Sequence, residues 1–360
     1  MIPLNDLKAQ YNSIKEEIDN AIRNVIDEAQ FIGGSELDAF EKNFASFCGK
    51  EFCIGASSGS TALYTVIKCL GIKEGDEVIV PVNTFIATAF AVTLTGAKPI
   101  FIDVKENGLI NTELIEKKIT EKTKAIIPVH LYGNVCDMSV ISQIAGKNKI
   151  KIIEDCAQSH GSLYKGKQVP YTEIGCFSFF PAKNLGAFGD AGAIATSDSE
   201  LAKKCRMFVN HGRADKYLHE IEGFNFRLDN LQAAILNVKL KYLNEWTDKK
   251  RKIAEKYNNE LKNKIEILDN DIKNSSYHLF VVKTDKRDKL KEHLEKYGIQ
   301  TGIHYPIPLH LQPAFSYLGY KKGNFPVAEM LAEKILSIPL YPELKDEEIN
   351  KIIEAVKSFN

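Results

Sequence analysis

The sequence of 360 residues has few of the features that would direct a protein to a membrane or to nucleic acid. Lys and Arg together number 47, as do Asp and Glu, so no net charge attracts nucleic acid or an anionic membrane surface. No apolar run approaches the length of a membrane-spanning helix, and the first residues lack a basic stretch followed by an apolar core. These absences predict a cytoplasmic protein that acts on small molecules, and any anionic ligand would need a local site.

Cysteine is present in a pattern that excludes two of its common uses. The chain has seven cysteines, an odd number, and none of them forms a C-x-x-C pair. Such a set fits reduced thiols that are buried as small apolar side chains better than a disulfide framework. The sequence therefore predicts no metal site and no disulfide scaffold.

The first two thirds of the chain alternate between short apolar strands and helical stretches. Apolar residues from Leu7 to Glu28 recur at spacings of three and four, which predicts an amphipathic helix that ends near Gly33-Gly34. Strands are predicted at 52–55, 77–81, 99–104, 125–130, 150–155, 175–180 and 192–196, most of them separated by helices such as 60–70, 84–95 and 139–147. This alternation is typical of a mainly parallel sheet, here of seven strands, with helices on both faces.

The character of the sequence changes after about residue 235. A Lys-rich helical stretch runs through Trp246 to Leu261, and strand-like 277–284, helical 287–297 and strand-like 299–304 follow. No repeat or linker rich in Pro and Ser separates the two parts. We therefore predict a large α/β domain over residues 1–235 and a smaller α+β domain over residues 236–360.

Two residues near the end of the predicted sheet have the chemistry of a cofactor clamp. Asp155 ends an apolar strand, and Lys183 follows in the loop S-F-F-P-A-K-N-L-G. A lysine amine condenses with the aldehyde of pyridoxal phosphate (PLP), and a carboxylate keeps the ring nitrogen protonated so that the ring acts as an electron sink. Taken singly, such an aspartate more often caps a helix, and such a lysine is more often solvated. Together they predict PLP, with Asp155 at the ring nitrogen and Lys183 on the aldehyde.

Four further residues could complete such a site. The segment A-S-S-G-S-T places Gly59 and Ser60 where a strand passes into a helix, and free amides at that point bind phosphate, although a plain N-cap has the same pattern. Phe85 follows another strand and could stack on a pyridine ring, although a core Phe fits equally well. Gln158 lies three residues beyond Asp155, from where its amide could reach the face of the cofactor.

These segments, together with G-F-N-F-R-L-D at 223–229 and H-Y-P-I-P-L at 304–309, resemble the DegT/DnrJ/EryC1/StrS family of sugar aminotransferases. The resemblance extends over nearly the whole chain, from P-L-N-D-L-K-A-Q-Y to S-I-P-L-Y-P. One departure is Phe226, where the family usually has serine. The resemblance implies the fold of the PLP-dependent aspartate aminotransferases (fold type I) and a homodimer with shared active sites.

Several residues gain a role only from this resemblance. It implies that Ser178 supplies a hydroxyl to the cofactor phosphate and that Asn225 reaches the cofactor phosphate of the neighbouring subunit. It also implies that Arg227 helps to hold an anionic substrate and that His304 and Tyr305 lie near the substrate.

The implied reaction moves the amino group of L-glutamate to a keto group on a nucleotide-linked sugar. Resemblance to the 3-aminotransferase branch over residues 301–344 favours dTDP-3-keto-6-deoxyhexose as substrate and dTDP-3-amino-3,6-dideoxyhexose as product. UDP-linked 3-keto and 4-keto sugars stay open as alternatives. Such deoxyamino sugars imply a role in polysaccharide or lipopolysaccharide biosynthesis.

Two functions of other classes compete with this interpretation. A PLP-dependent sugar dehydratase of the same family carries histidine where this chain has Lys183, which argues against dehydration. A non-catalytic regulatory protein that uses the same fold is disfavoured because the set of cofactor-binding residues is complete.

Overall fold

The computed structural model describes residues 1–268 and 271–359, in which strands and helices alternate as expected. The strands are β1 (Phe52–Ala56), β2 (Glu77–Pro81), β3 (Lys98–Ile102), β4 (Thr123–Ile126), β5 (Lys151–Ile152), β6 (Glu154–Asp155), β7 (Leu163–Tyr164), β8 (Lys167–Gln168), β9 (Ile174–Ser178), β10 (Gly192–Thr196), β11 (Glu266–Ile267), β12 (Phe280–Lys283) and β13 (Ile335–Ile338). The helices are α1 (Leu7–Ser13), α2 (Lys15–Glu28), α3 (Ser35–Cys48), α4 (Gly59–Cys69), α5 (Ile86–Thr93), α6 (Met138–Asn148), α7 (Ser199–Phe208), α8 (Asn230–Leu240), α9 (Leu243–Leu261), α10 (Arg287–Lys296), α11 (Pro326–Lys334) and α12 (Asp346–Lys357). None of the helices in the described ranges is long and apolar enough to cross a membrane.

A mixed sheet forms the centre of the first two thirds of the chain. β5 and β6 are two halves of one strand, because the intervening Ile153 continues the ladder through its N–H bond to the carbonyl of Ile126 (3.0 Å). From edge to edge the order is β3, β2, β4, β5 with β6, β9, β10 and β1. In this spatial order, β3, β2, β4, β5 with β6, and β9 all run in the same direction. β10 runs antiparallel to both of its neighbours, β9 and β1. The predicted seven-stranded, mainly parallel sheet is confirmed for this part of the chain.

The sheet is buried on both faces, which explains its nearly continuous apolar strands. Val78, Ile79 and Val80 of β2 are fully buried, as expected for a parallel strand with helices on both sides. Helix α4 packs against β9 and β10, α7 packs against β1 and β10, and α5 packs against β2 and β3. The carboxyl ends of the parallel strands therefore share one edge, where polar side chains meet.

A second, smaller unit follows. β11, β12 and β13 form an antiparallel sheet, and Phe280 of β12 lies opposite Ile338 of β13. Its core joins apolar residues of α9, α10 and α12 with Ile2 from the start of the chain. The predicted boundary between residues 235 and 236 lies within α8, and where the two domains divide stays a prediction.

Two local predictions were wrong. The single helix predicted over 7–28 is broken at Ile14, which has φ −132° and ψ 24°. The apolar period continues across the break because Ile14 and Ile18 enter the same cluster with Trp246, so the pattern does not reveal the kink. Residues 299–304 form only isolated bridges, at Ile299 and Gly302, rather than a strand.

Candidate active site

The candidate site is built around Asp155, which ends β6 at the carboxyl edge of the sheet. The N–H of Asp155 donates to the carbonyl of Pro128 (2.9 Å), and its own carbonyl accepts from the N–H of His130 (3.1 Å). On its other side Asp155 pairs with Cys176 of β9. The sheet therefore fixes the backbone of Asp155 from both sides.

Two hydrogen bonds hold the buried carboxylate of Asp155. Thr88 of α5 donates from Oγ1 to Oδ2 (2.8 Å), and the N–H of Ala157 donates to Oδ1 (3.1 Å). Burial raises the pKa of Asp155, and the two bonds and the positive charge of Lys183 offset this effect only in part. A cation placed beside this carboxylate would stabilise its charged form.

Lys183 lies in the connection between β9 and β10. Because these strands are antiparallel neighbours, with Ser178 opposite Gly192, the connection leaves and rejoins the sheet at the same edge. The N–H of Lys183 donates to the carbonyl of Phe180 (2.8 Å), which closes a turn at the lysine. The structure thus brings Lys183 to the edge at which Asp155 ends.

The amine of Lys183 differs from an ordinary lysine amine. Within residues 1–268 and 271–359, no acceptor lies within hydrogen-bond distance of its Nζ. Burial lowers the pKa of Lys183 to about 8, and the charge of Asp155 opposes this shift. A larger fraction of the amine is therefore unprotonated and nucleophilic at neutral pH than in an exposed lysine.

The start of α4 forms a cradle beside the lysine loop. Ser58 caps the helix, since its Oγ accepts from the N–H of Thr61 (3.1 Å) and its N–H donates to Thr61 Oγ1 (3.0 Å). A Cβ atom at Gly59 would lie 2.6 Å from Ser178 Cβ, so only glycine lets the helix approach β9 this closely. The chain thus sets Gly59, Ser60 and Ser178 side by side at a helix N-terminus, where an anion is stabilised.

Gln158 is held at both ends of its amide. Its Oε1 accepts from the N–H of Tyr132 (2.8 Å), and its Nε2 donates to the hydroxyl of Tyr305 (3.1 Å). The hydroxyl of Tyr132 in turn donates to the carbonyl of His304. This chain of bonds links the segment after Asp155 to the H-Y-P segment that begins at His304.

Aromatic side chains enclose the same site. The rings of Phe85 and Tyr305 lie 5.8 Å apart at 41°, and Phe85 keeps 54% of its surface exposed. Burial and the nearby charge of Asp155 raise the pKa of Tyr305. Burial and the charge of Lys183 lower the pKa of His304 to about 4, so this imidazole is neutral at neutral pH. The structure therefore brings His304 and Tyr305 together with the two residues of the predicted clamp.

Asn225 and Arg227 lie in a segment that runs beside the start of α4. The carbonyl of Phe226 accepts from the N–H of Ser57 (2.7 Å), which ties this segment to the cradle. Asn225 is exposed, and Arg227 donates from Nη1 to Asn210 Oδ1 (2.8 Å). The role of Asn225 in a neighbouring subunit and that of Arg227 toward the substrate stay predictions.

Two residues of the site were missed from the sequence. Thr88 orients Asp155, and its only sequence signal is the spacing of four from Thr84, whose hydroxyl lies 3.0 Å from that of Thr88. Tyr132 adopts a left-handed backbone with φ +62°, which directs its N–H toward Gln158. Both roles depend on contacts between distant segments, which no local pattern encodes.

A second carboxylate beside the site has a different environment. His130, Glu154 and Cys156 are all buried, and their potential metal-binding atoms lie within 4.8 Å of one another. Glu154, however, accepts from His130 Nε2 (2.8 Å), from the N–H of Tyr171 (2.9 Å) and from Thr172 Oγ1 (2.6 Å). These donors occupy the carboxylate oxygens, which favours a structural hydrogen-bonded pair over a set of metal ligands.

Comparison with known proteins assigns the chain to a family. The model of the DegT/DnrJ/EryC1/StrS aminotransferase family matches residues 12–357. The dTDP-3-amino-3,6-dideoxy-alpha-D-galactopyranose transaminase of Aneurinibacillus thermoaerophilus is 43% identical over 363 residues, which cover 100% of this chain and 99% of the relative. The UDP-N-acetyl-3-dehydro-alpha-D-glucosamine 3-aminotransferase of Acidithiobacillus ferrooxidans is 42% identical over 364 residues, which cover 99% and 97% of the two chains. The crystal structure of NtdA from Bacillus subtilis with bound cofactor PMP has a TM-score of 0.92 and 36% identity, covering 99% of this chain and 84% of that chain. The chain belongs to the DegT/DnrJ/EryC1/StrS aminotransferase family.

Proposed function

We propose that this protein is a PLP-dependent aminotransferase that moves the amino group of L-glutamate to a keto group on a nucleotide-linked sugar. The observation that carries the proposal is the pairing of Lys183, whose amine has a lowered pKa and no acceptor in the described chain, with the buried carboxylate of Asp155. The family match and the sugar aminotransferases among the relatives support the same conclusion.

The residues present fit PLP. The site offers an amine for the aldehyde at Lys183 and an under-stabilised carboxylate for the ring nitrogen at Asp155. It also offers a helix N-terminus for the phosphate at Gly59 and Ser60, where the lack of a Cβ at Gly59 lets Ser178 lie close to the start of the helix. Phe85 and Gln158 would contact the ring.

When bound, PLP supplies an electron sink that stabilises negative charge on the carbon that exchanges a proton. Asp155 would hold the ring nitrogen and keep it protonated, because burial strengthens the attraction between its carboxylate and a positive charge. Once released from the aldehyde, Lys183 Nζ would move a proton between the substrate carbon and the cofactor carbon that carried the aldehyde, for which a pKa of about 8 is suitable. The neutral imidazole of His304 and the hydroxyl of Tyr305 would orient the sugar, and Arg227 would help to hold its anionic part.

For the sugar we propose dTDP-3-keto-6-deoxyhexose, with dTDP-3-amino-3,6-dideoxyhexose as product and polysaccharide or lipopolysaccharide biosynthesis as its use. The 43% identical relative is named for such a dTDP sugar and supports this choice. The 42% identical relative is named for a UDP sugar. A panel of dTDP- and UDP-linked 3-keto and 4-keto sugars, assayed with glutamate, decides between them by the ratio of kcat/KM.

The decisive test of the reaction is the covalent position of PLP. Borohydride reduction followed by peptide mapping should place the phosphopyridoxyl label on Lys183, and Lys183→Ala should lower turnover by roughly 10⁴-fold while the protein still folds. Lys249→Ala is the matched control, because Lys249 is an exposed lysine of α9 and should keep full turnover. A label elsewhere, or near-normal turnover in Lys183→Ala, would overturn the assignment.

We further propose a homodimer with shared sites and a cytoplasmic location. An exposed Asn225 beside the start of α4 supports the first, since a side chain there is free to reach a neighbouring subunit. The cysteines are all free in the structure, which supports a reducing compartment. Asn225→Ala should weaken PLP binding by about tenfold in equilibrium dialysis, and an unchanged affinity would count against the shared site.

A further inference from the structure

The loop that carries Lys183 is closed on itself. The N–H of Phe179 donates to the carbonyl of Ala191 (2.8 Å), and the N–H of Ala187 donates to the carbonyl of Phe179 (2.8 Å). Inside this closure the turn is very tight, because a Cβ atom at Gly186 would lie 2.2 Å from the carbonyl oxygen of Pro181. The loop therefore has a compact backbone, and its outward-facing polar groups are available for contacts with other elements.

Two buried lysines bind this loop from neighbouring helices. Lys250 of α9 donates to Oδ1 of Asn184 (2.7 Å), the residue that follows Lys183 in the chain. Lys239 of α8 donates to the carbonyl of Gly186 (2.7 Å) at the tight turn. Lys239 is 1% exposed and Lys250 is 6% exposed.

Asn184 also links the loop to the segment at Ser276. Asn184, while it accepts from Lys250, donates from Nδ2 to the carbonyl of Ser276 (2.9 Å). The Lys239 ammonium also lies 4.6 Å from the centre of the Phe188 ring. The backbone around Lys183 is thus fixed from several directions.

Burial of these two amines is unfavourable in itself. Burial lowers the pKa of Lys239 to about 8 and that of Lys250 to about 7, and the charge of Glu343 opposes both shifts. A methionine of similar length would fill the same space without loss of amine hydration. The geometry gives a reason for the lysines, since each donates to the loop next to the amine that reacts.

The backbone of the loop is held by hydrogen bonds, whereas the amine of Lys183 is held by none from the described ranges of the chain. Asn184 and Gly186 are bonded to buried amines, whereas the Nζ of Lys183 has no acceptor among the residues that the structure describes. A lysine that must first bind a cofactor aldehyde and later exchange protons needs a mobile amine on a fixed backbone.

We infer that Lys239 and Lys250 are positioning residues that hold the loop of Lys183 so that its amine meets the PLP aldehyde in a reactive orientation. This inference rests on the proposed function. It concerns residues that do not themselves touch the cofactor or substrate and that act through Asn184 and Gly186.

The test uses the PLP-free protein and measures how fast it captures PLP. Capture is followed by absorbance, trapped with borohydride and mapped by peptide, and the thermal midpoint of each PLP-free variant is recorded. Lys250→Met and Lys239→Met should each slow capture at Lys183 by about tenfold. The matched controls are exposed lysines near each position, Lys249→Met on α9 and Lys241→Met at the end of α8, which should stay within about twofold of wild type.

A double-mutant cycle isolates the contact between Lys250 and Asn184. Asn184→Leu should slow capture at least as much as Lys250→Met does, because it also removes the bond to Ser276. The double variant should be no slower than Asn184→Leu alone, because both changes remove the bond between Lys250 and Asn184. Additive effects would overturn the role of this contact. If Lys250→Met does not fold, Asn184→Leu and Lys239→Met carry the test.

The outcomes separate this inference from the proposed function. A wild-type label at a residue other than Lys183 would overturn the proposed function. A wild-type label at Lys183 with normal capture rates in folded Lys239→Met and Lys250→Met, even at a lowered thermal midpoint, would leave the function in place and reduce the two lysines to structural residues.

Discussion

Glu154 and Asp155 are adjacent buried carboxylates on β6, and they differ in every respect that decides their use. Alternation along the strand directs their side chains to opposite faces of the sheet. Glu154 accepts from His130, Tyr171 and Thr172, and although burial would raise its pKa, the bonds from His130 and Thr172 prevail and keep the pKa below its usual value. Asp155 has two donors, and burial keeps its pKa raised.

One short strand thus supplies both a carboxylate that the chain satisfies and a carboxylate that is proposed to act on the cofactor. Where the chain satisfies the carboxylate completely, the group stabilises the native fold and has no capacity left for a ligand. Where the chain stabilises the carboxylate only in part, a positively charged group that binds beside it stabilises its charged form further. The difference lies in the number of donors that the surrounding loops provide, since the degree of burial is nearly the same.

The largest expected effect comes from neutralising Asp155, the member of the pair that is proposed to act in the reaction. Asp155→Asn keeps the size of the side chain and removes its charge, so turnover should fall by about 10²- to 10³-fold in a steady-state assay with glutamate and a keto sugar. The variant should still bind PLP, which its absorbance would reveal. Turnover within tenfold of wild type would remove Asp155 from the mechanism.

Neutralising the structural member should give the opposite profile. Glu154→Gln leaves His130 without its anionic partner in the core, so the free energy of unfolding should fall by about 3 kcal/mol in urea titrations. The turnover of the folded fraction should stay within about threefold of wild type. A variant with normal stability and lost turnover would erase the contrast between the two carboxylates.

The pH dependence of stability in the PLP-free protein should sharpen the contrast. Because the folded pKa of Glu154 is lowered, its contribution is complete above its ordinary pKa of 4.5 and is lost as the pH falls through the folded value. Because the folded pKa of Asp155 is raised, its charge destabilises the fold at neutral pH, and this penalty disappears as the pH falls toward its ordinary value of 3.8.

Urea titrations between pH 7 and pH 4 measure both effects. PLP-free Asp155→Asn should be more stable than wild type at pH 7, and the gap should narrow as the pH falls. PLP-free Glu154→Gln should be less stable at pH 7, and its deficit should narrow only at the acidic end. If the free energy of unfolding changed with pH in the same way in both variants, the opposite effects proposed for the two carboxylates would be contradicted.

The smallest expected effect concerns the threonines that serve the two carboxylates. Thr88→Val removes a bond to Asp155 and should lower kcat by about three- to tenfold. Thr172→Val removes the hydroxyl bond to Glu154 and should lower the thermal midpoint with little change in kcat. Equal effects of both changes on kcat would argue that the two sites are not separate.

The same pair of carboxylates shows what the sequence can and cannot predict. The sequence predicts that Asp155 ends an apolar strand and that Lys183 lies in the loop after a later strand. The structure has both residues in these positions. Glu154, one residue earlier, attracted no prediction, because its role depends on His130 and on a loop at Thr172. Thr88 was missed for the same reason, and the break at Ile14 was hidden by an unbroken apolar period. Local pattern thus predicts elements and reactive residue types, whereas partners between distant segments need the folded chain.

The antiparallel course of β10 has a consequence for how this protein could be altered. Since β9 and β10 are neighbours joined by the loop of Lys183, that loop is an oversized hairpin and needs no helix to cross the sheet. A shortened or grafted version would have to match the two strand ends, Ser178 and Gly192, and to keep acceptors for Lys239 and Lys250, but it would leave the parallel crossovers untouched. The loop between β9 and β10 could therefore be exchanged as one segment, which would change how far the amine of Lys183 extends.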